Sequence, residues 1–177
     1  IDAGDYGQLP VSPIDHIRMR LEAEGIKVAE ITGRKAMIDY KNGKLASRPK
    51  GEVGPAGKQA SKSGFNSGTI DALIINRSGS TGISLHSWSQ FNDQRPRRMI
   101  LAQTEPNVDT HMQMLWRIDR TGQVHLPKYS HFTADIPIEA RPMAVLMKKM
   151  ASLAANTTAA RKSSYSSEGA VDFINEV

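Results

Sequence analysis

Two short runs in this chain, TIDALIINR (69–77) and RRMILAQ (97–103), are nearly all apolar at their centres. A run of that kind suits a strand buried on both faces, as in a parallel sheet. Parallel strands need crossover connections, and the rest of the chain supplies helices to make them. SPIDHIRMRLEAEG (12–25) reads as a helix: Ser12 is a good N-cap, Pro13 suits the first helical position, and Ile14, Ile17 and Leu21 recur at helical spacing. IKVAEITG (26–33) reads as a strand, and MIDYKNGKLAS (37–47) as a hairpin about the two-residue turn signal Asn42-Gly43. RPKGEVGPAGKQASKSG (48–64) reads as a surface connection ending in a short helix. A helix is expected over about 108–120, a strand at KYSHFTAD (128–135), and a helix over 137–155 that Pro142 divides near its start. Alternating strands and helices with short joints predict an α/β sandwich with a mostly parallel central sheet and a small hairpin insertion. Sites in such folds gather at the carboxyl ends of the strands.

At 177 residues the chain is long enough for one domain with a real core, and 39% hydrophobic against 23% charged residues is a globular balance. No apolar run approaches the length needed to span a bilayer, and the start carries no signal-peptide pattern, so no membrane partner is expected. The two glycosylation sequons, at Asn76 and Asn156, are then chance matches. The absence of cysteine removes disulfides, thiol chemistry and the usual zinc ligands. A net charge of +5 permits a polyanionic partner without requiring one. The chain begins at Ile1 and stops at DFINEV, which reads as a piece of a larger polypeptide.

Several chemistries fail on their residues. GPAGKQ (54–59) imitates a phosphate-binding loop, but Glu52 stands where the first glycine belongs and Gln59 replaces Ser or Thr. SGSTG (78–82) imitates a hydrolase elbow but opens on Ser78. His16, His86, His111, His125 and His131 have no metal-ligand spacing, so no metal site is expected. RSGSTGISLH (77–86) is more telling. Glycines and small residues after a strand let backbone amides approach phosphate oxygens, and Ser80, Thr81 and Ser84 add hydroxyls; a helix-capping turn is the plainer alternative. In HMQMLWRIDRTGQV (111–124), Arg117 and Arg120 are three apart and share a helical face, opposite Met112, Leu115 and Ile118. Two neighbouring guanidiniums repel unless an anion lies between them, and their planar forks match phosphate oxygens. A solvated, salt-bridged face is the alternative.

The glycine–serine loop after one strand, followed by Gln113, Arg117, Arg120, Gly122 and Gln123 after the next, resembles motifs V and VI of the second RecA-like lobe of superfamily 2 helicases. With VAEITGRK (28–35), FNSG (65–68), SGSTGISLH (78–86) and MLWRIDRTGQV (114–124) in this order, the chain most resembles the strawberry notch family, in its bacterial and phage-type members, over roughly residues 10–165. Two features depart from the superfamily pattern: Trp116 stands where many members have glycine, and 34–64 is an insertion on the minimal lobe, near one that strawberry notch proteins carry.

The resemblance implies a RecA-like three-layer sandwich over residues 1–160 and a polar tail at 161–177. It implies ATP, with Mg²⁺ held by a first RecA-like lobe of the same polypeptide, and DNA as the partner, with RNA sharing the same phosphate chemistry. Arg120 is then the arginine finger, with Arg117 contacting the γ-phosphate or ordering the cleft. Gln113 and Gly82 join the nucleotide site. Gly79, Ser80, Thr81 and Gly82 link it to the nucleic-acid backbone, which Ser84 also touches. Arg95, Arg97 and Arg98 of the basic loop either touch phosphate as well or are plain surface. The chain alone is expected to be inactive, and the location is cytoplasmic, or nuclear in a eukaryote. The alternatives are a non-catalytic nucleic-acid-binding module of the same fold and a protein-contact domain with Met143, Met147 and Met150 as an exposed patch.

Overall fold

A computed structural model describes residues 12–40, 42–77, 82–134 and 136–156. The architecture is mixed α/β, with two parallel strand pairs and one antiparallel hairpin. It is organised as two compact units, one running to Ile83 and including Phe91–Asp93, the other formed by Ser84–Gln90 and the chain from Gln94 onward. No helix among the described residues is long and apolar enough to cross a membrane.

In the first unit, α1 (Pro13–Ala23) starts as its sequence dictates: the Ser12 hydroxyl accepts the Asp15 N–H at 3.4 Å, and proline occupies the first turn. β1 (Val28–Ile31) is buried along its whole length and pairs in parallel with β4 (Ala72–Ile75), Val28 opposite Ala72 and Ile31 opposite Ile75. β2 (Ala36–Asp39) and β3 (Lys44–Ser47) form the hairpin, with Asp39 opposite Lys44. Its loop is wider than the sequence signal implies: residues 40–43 intervene, and the Gly43 N–H closes onto the Asp39 carbonyl at 2.8 Å. β4 is half-buried rather than covered on both faces, because its parallel pair is two-stranded among the described residues.

The segment expected to be a surface connection ending in a short helix is a 3₁₀ turn (Lys50–Glu52) leading into a longer, 14-residue helix, α2 (Gly54–Ser67). Its buried positions are Gly57, Ser61 and Asn66, so no apolar stripe announces it. Small residues let it lie directly on the preceding turn. A methyl group at Gly57 would stand 2.3 Å from the Glu52 carbonyl carbon. Alanine is the better helix former by about 1 kcal/mol, but backbone cannot yield cheaply to such a contact, and overpacking costs about 1–3 kcal/mol or more. Gly57→Ala is therefore expected to destabilise the chain, read as a lower urea midpoint at unchanged slope.

A buried ionic network joins these elements. Asp15, Glu30 and Arg48 are among the buried residues. Arg34 bridges the first two: it donates to Asp15 Oδ2 at 2.7 Å and to Glu30 Oε1 and Oε2 at 2.6 Å, and pairs with Asp15 Oδ1 as well. Arg48 donates to the backbone carbonyls of Glu30 and Arg34, each at 2.9 Å. Arg18 grips Glu52 with both fork nitrogens at 2.7 and 2.8 Å. The VAEITGRK segment is thus tied by charge to α1 and to the hairpin, where the Ile38 N–H donates to Asp15 at 2.8 Å.

In the second unit, β5 (Arg98–Leu101) pairs in parallel with β6 (Lys128–His131), Leu101 opposite His131. β5 is not the doubly buried strand its apolar run predicts: Leu101 is buried, whereas Ile100 is exposed. Here too the pair is two-stranded among the described residues, which leaves its edges open. The last helix, α4 (Pro137–Asn156), runs unbroken through Pro142, which sits near enough to the start to remove only one early hydrogen bond. Met143 and Leu146 turn inward and are buried, and Met147 and Met150 are half-buried, so the three methionines make no exposed patch.

Candidate functional site

The site is built on α3 (Val108–Leu115), which opens with the Asn107 side chain accepting the Thr110 N–H at 2.9 Å. His111 and Leu115 are fully buried. The helix is shorter than the 108–120 its periodicity predicts. Beyond Leu115 the bonding tightens to three-residue steps, Arg117 N–H to Met114 and Ile118 N–H to Leu115. The reason lies in competing partners. The Tyr129 hydroxyl takes the Leu115 carbonyl at 3.1 Å, Arg120 Nε takes the Trp116 carbonyl at 3.2 Å, and the Leu85 N–H takes the Arg117 carbonyl at 2.8 Å. Carbonyls that would have continued the helix are spent elsewhere.

The facing is nonetheless preserved. His111, Leu115 and Ile118 point into the core, while Gln113, Trp116 and Arg120 are exposed and Arg117 is half-buried. The turn that follows is fixed by Gln123, whose side-chain oxygen accepts the Arg120 N–H at 3.2 Å and whose amide donates to Asp119 at 3.0 Å. Gly122 has φ +86°, a backbone conformation that favours glycine, and it lies in van der Waals reach of the Trp88 indole. The closing Gly-Gln of the segment shapes the turn that carries the arginines.

Sequence reasoning did not anticipate what holds this turn. The stretch Ser84–Trp88 lies beside it: the Val124 N–H donates to the Ser87 carbonyl at 2.7 Å, the Ser87 hydroxyl bonds both backbone groups of His125, and Trp88 bridges Gln123 in antiparallel fashion. The partners are 38 residues apart, and nothing local marks them. The end of the segment resembling motif V, from Leu85 onward, is thus hydrogen-bonded to the turn resembling motif VI.

The charge at this place is positive. Burial lowers the proton affinity of His86, and the charges of Arg120 and Arg97 lower it further. Burial and the neighbouring Arg120 likewise draw the Arg117 guanidinium below its usual range. Such a cluster favours an anion.

Other expected residues are distributed unevenly. Ser84 is half-buried and leads into the paired stretch, and Gly82 is exposed with φ +72° in the first unit. Ser80 and Thr81, with Ser78 and Gly79, lie outside the described residues. Arg98 and Arg95 are exposed, but Arg97 is buried at 4% exposure, and its charge acts on His86. As folded here, Arg97 is not presented for a surface phosphate contact. Among the described residues no group of three His, Asp or Glu could hold a metal ion.

Beneath the arginine turn, His111 stacks on His131 with ring centroids 5.4 Å apart. Burial, with the His131 charge adding and Glu105 opposing, holds His111 at about 4. Burial also lowers His131. In the unfolded chain both take up protons near 6.5, so this contribution is complete above that pH and is lost as pH falls toward 4. Stability is expected to drop by on the order of 3 kcal/mol across that window. Urea unfolding at pH 7 and pH 4.5 would read it, and His111→Leu should flatten the difference.

Comparison with known proteins gives a consistent family. A family model described as the C-terminal domain on strawberry notch homologues matches residues 12–176. The chain is 28% identical over 163 residues to human protein strawberry notch homolog 2, covering 90% of this chain and 12% of that protein. It is 30% identical over 159 residues to Drosophila melanogaster protein strawberry notch, covering 88% of this chain and 10% of that protein. It is 28% identical over 159 residues to Arabidopsis thaliana protein FORGETTER 1, covering 87% of this chain and 12% of that protein. The chain therefore spans about a tenth of the length of the curated relatives it matches.

Proposed function

The chain belongs to the family of C-terminal helicase domains of strawberry notch homologues, and from that premise we propose that it is the second RecA-like lobe of an ATP-dependent DNA translocase or helicase. The observation that supports this reading best is the pairing of Leu85 and Ser87 with the turn bearing Arg117 and Arg120. The stretch that ends the loop suited to a nucleic-acid backbone then shares a hydrogen-bonded frame with the turn suited to nucleotide phosphates, which offers a route for coupling the two.

In this reading ATP binds between this lobe and a first lobe, which holds Mg²⁺. Water adds to the γ-phosphorus as the bond to the bridging β–γ oxygen breaks, and negative charge grows on the leaving oxygen. Arg120, exposed and steadied by its bond to the Trp116 carbonyl, meets that charge. Arg117 orders the γ-phosphate, and Gln113 couples nucleotide state to closure of the lobes. Ser80, Thr81, Ser84 and Arg98 are assigned to the DNA backbone by the family motif and the basic loop, and RNA offers the same phosphates. In a bacterial or phage setting this work belongs to the cytoplasm, in a eukaryote to the nucleus.

The test is ATP hydrolysis by the full-length protein with and without DNA. Stimulation by DNA is the expected result. DNA binding without any hydrolysis would replace this reading with that of a non-catalytic binding module.

A further inference from the structure

The chain has two tryptophans, and they are treated differently. Trp88 is half-buried, set against Gly122 and tilted over His86 at 6.2 Å. Trp116 is 52% exposed, and its indole makes no hydrogen bond or ring contact among the described residues. Leaving so much aromatic surface in water forgoes a large burial gain. The core side of this element is already filled by His111, Leu115 and Ile118, so Trp116 has no place inward.

Its position is specific. Gln113, Trp116 and Arg120 are exposed and Arg117 is half-buried, and all four lie in the short span 113–120, away from the buried His111, Leu115 and Ile118. The backbone that carries the indole is held at both ends: the Trp116 N–H donates to the Met112 carbonyl at 3.0 Å, and its carbonyl accepts from Arg120 Nε at 3.2 Å. A solvent-facing ring on a hydrogen-bonded backbone therefore stands next to Arg117 in the chain and four residues from Arg120. Glycine, which many superfamily members have here, would present nothing.

We propose that Trp116 is a nucleobase platform: its indole stacks on the purine of the nucleoside triphosphate whose phosphates lie on Arg117 and Arg120. The inference rests on the nucleotide-site reading of those arginines. The forks bind phosphate of any polyphosphate and carry no information about the nucleoside. A flat π-surface one residue from Arg117 and four residues from Arg120 supplies that missing recognition.

The experiment uses full-length protein and compares wild type, Trp116→Ala and Trp116→Phe. ATP KM is measured together with the inhibition constants of ADP and of inorganic tripolyphosphate, which lacks a base. Trp116→Ala is expected to raise the ATP KM and the ADP inhibition constant about tenfold, leave the tripolyphosphate constant within about twofold, and be largely rescued by Trp116→Phe. Parallel rises for ADP and tripolyphosphate would overturn the proposal in favour of packing against the first lobe. An unchanged ATP KM with a weakened DNA dependence would assign the ring to a base of the nucleic acid instead, and would also overturn it. Wild-type protein that hydrolyses no ATP would remove the nucleotide reading itself, and this inference with it.

Discussion

Arg120→Ala in the full-length protein is expected to lower DNA-stimulated ATP hydrolysis at least a hundredfold while ATP still binds. Arginine fingers contribute about 10³–10⁵ in rate by stabilising charge on the transferring phosphoryl group, and the loss should fall on kcat because that charge exists only in the transition state. Arg120 is a better test than Arg117 for a structural reason. Its side chain is exposed, and the one contact described for it is Nε to the Trp116 carbonyl, at 3.2 Å. Its backbone amide, which caps onto Gln123, survives the substitution. Stability should therefore change by no more than about 0.5 kcal/mol, and lost turnover reports chemistry. Arg117 is half-buried, and both burial and the Arg120 charge act on its guanidinium, so its replacement mixes charge with packing. Intact hydrolysis in Arg120→Ala would withdraw the finger assignment even if the fold reading stands.

The residues that revealed the arginine turn did so through local signals. Helical spacing places Gln113, Arg117 and Arg120 on the solvent side, and that facing persists although the helix stops at Leu115. The stop itself was illegible, because it depends on Tyr129, Leu85 and the Arg120 side chain competing for three carbonyls. α1 was legible from Ser12 and Pro13, which act within four residues. α2 was legible only as a short helix closing a surface connection, since a face of Gly57, Ser61 and Asn66 gives no apolar period and its glycine content reads as loop. The burial of Arg97 was illegible for a related reason. In sequence it is one cation in a basic loop, and only the fold buries it where its charge acts on His86. Apolar strand centres were legible, but the extent of their burial was not, because that depends on what covers each strand.

Arg34→Ala is expected to cost about 3–5 kcal/mol, the usual consequence of removing one partner from a buried charge network. In sequence Asp15, Glu30, Arg34 and Arg48 look like ordinary surface charges, yet Asp15 and Glu30 are 2% and 0% exposed. Arg34 reaches both carboxylates at once with separate edges of its fork. A lysine has one point of charge and cannot do so, so Arg34→Lys should recover only part of the loss. The network also makes a spectroscopic prediction. Burial pushes the Asp15 carboxyl up, but hydrogen bonds from Arg34, the Ile38 N–H and Ser12, with the Arg34 charge, outweigh it and hold it at about 2. Its contribution is present above the unfolded value of 3.8 and is lost as pH falls through 2. Without Arg34 the burial effect is left with weaker opposition, so the Asp15 titration seen by carboxyl NMR should move upward and acid unfolding should begin at higher pH. An Asp15 titration that stays in place in Arg34→Ala would mean that the backbone amide and Ser12 suffice, and that Arg34 serves Glu30 alone. The segment VAEITGRK would then lose its charge link to α1, since among the described residues Arg34 reaches that helix through Asp15.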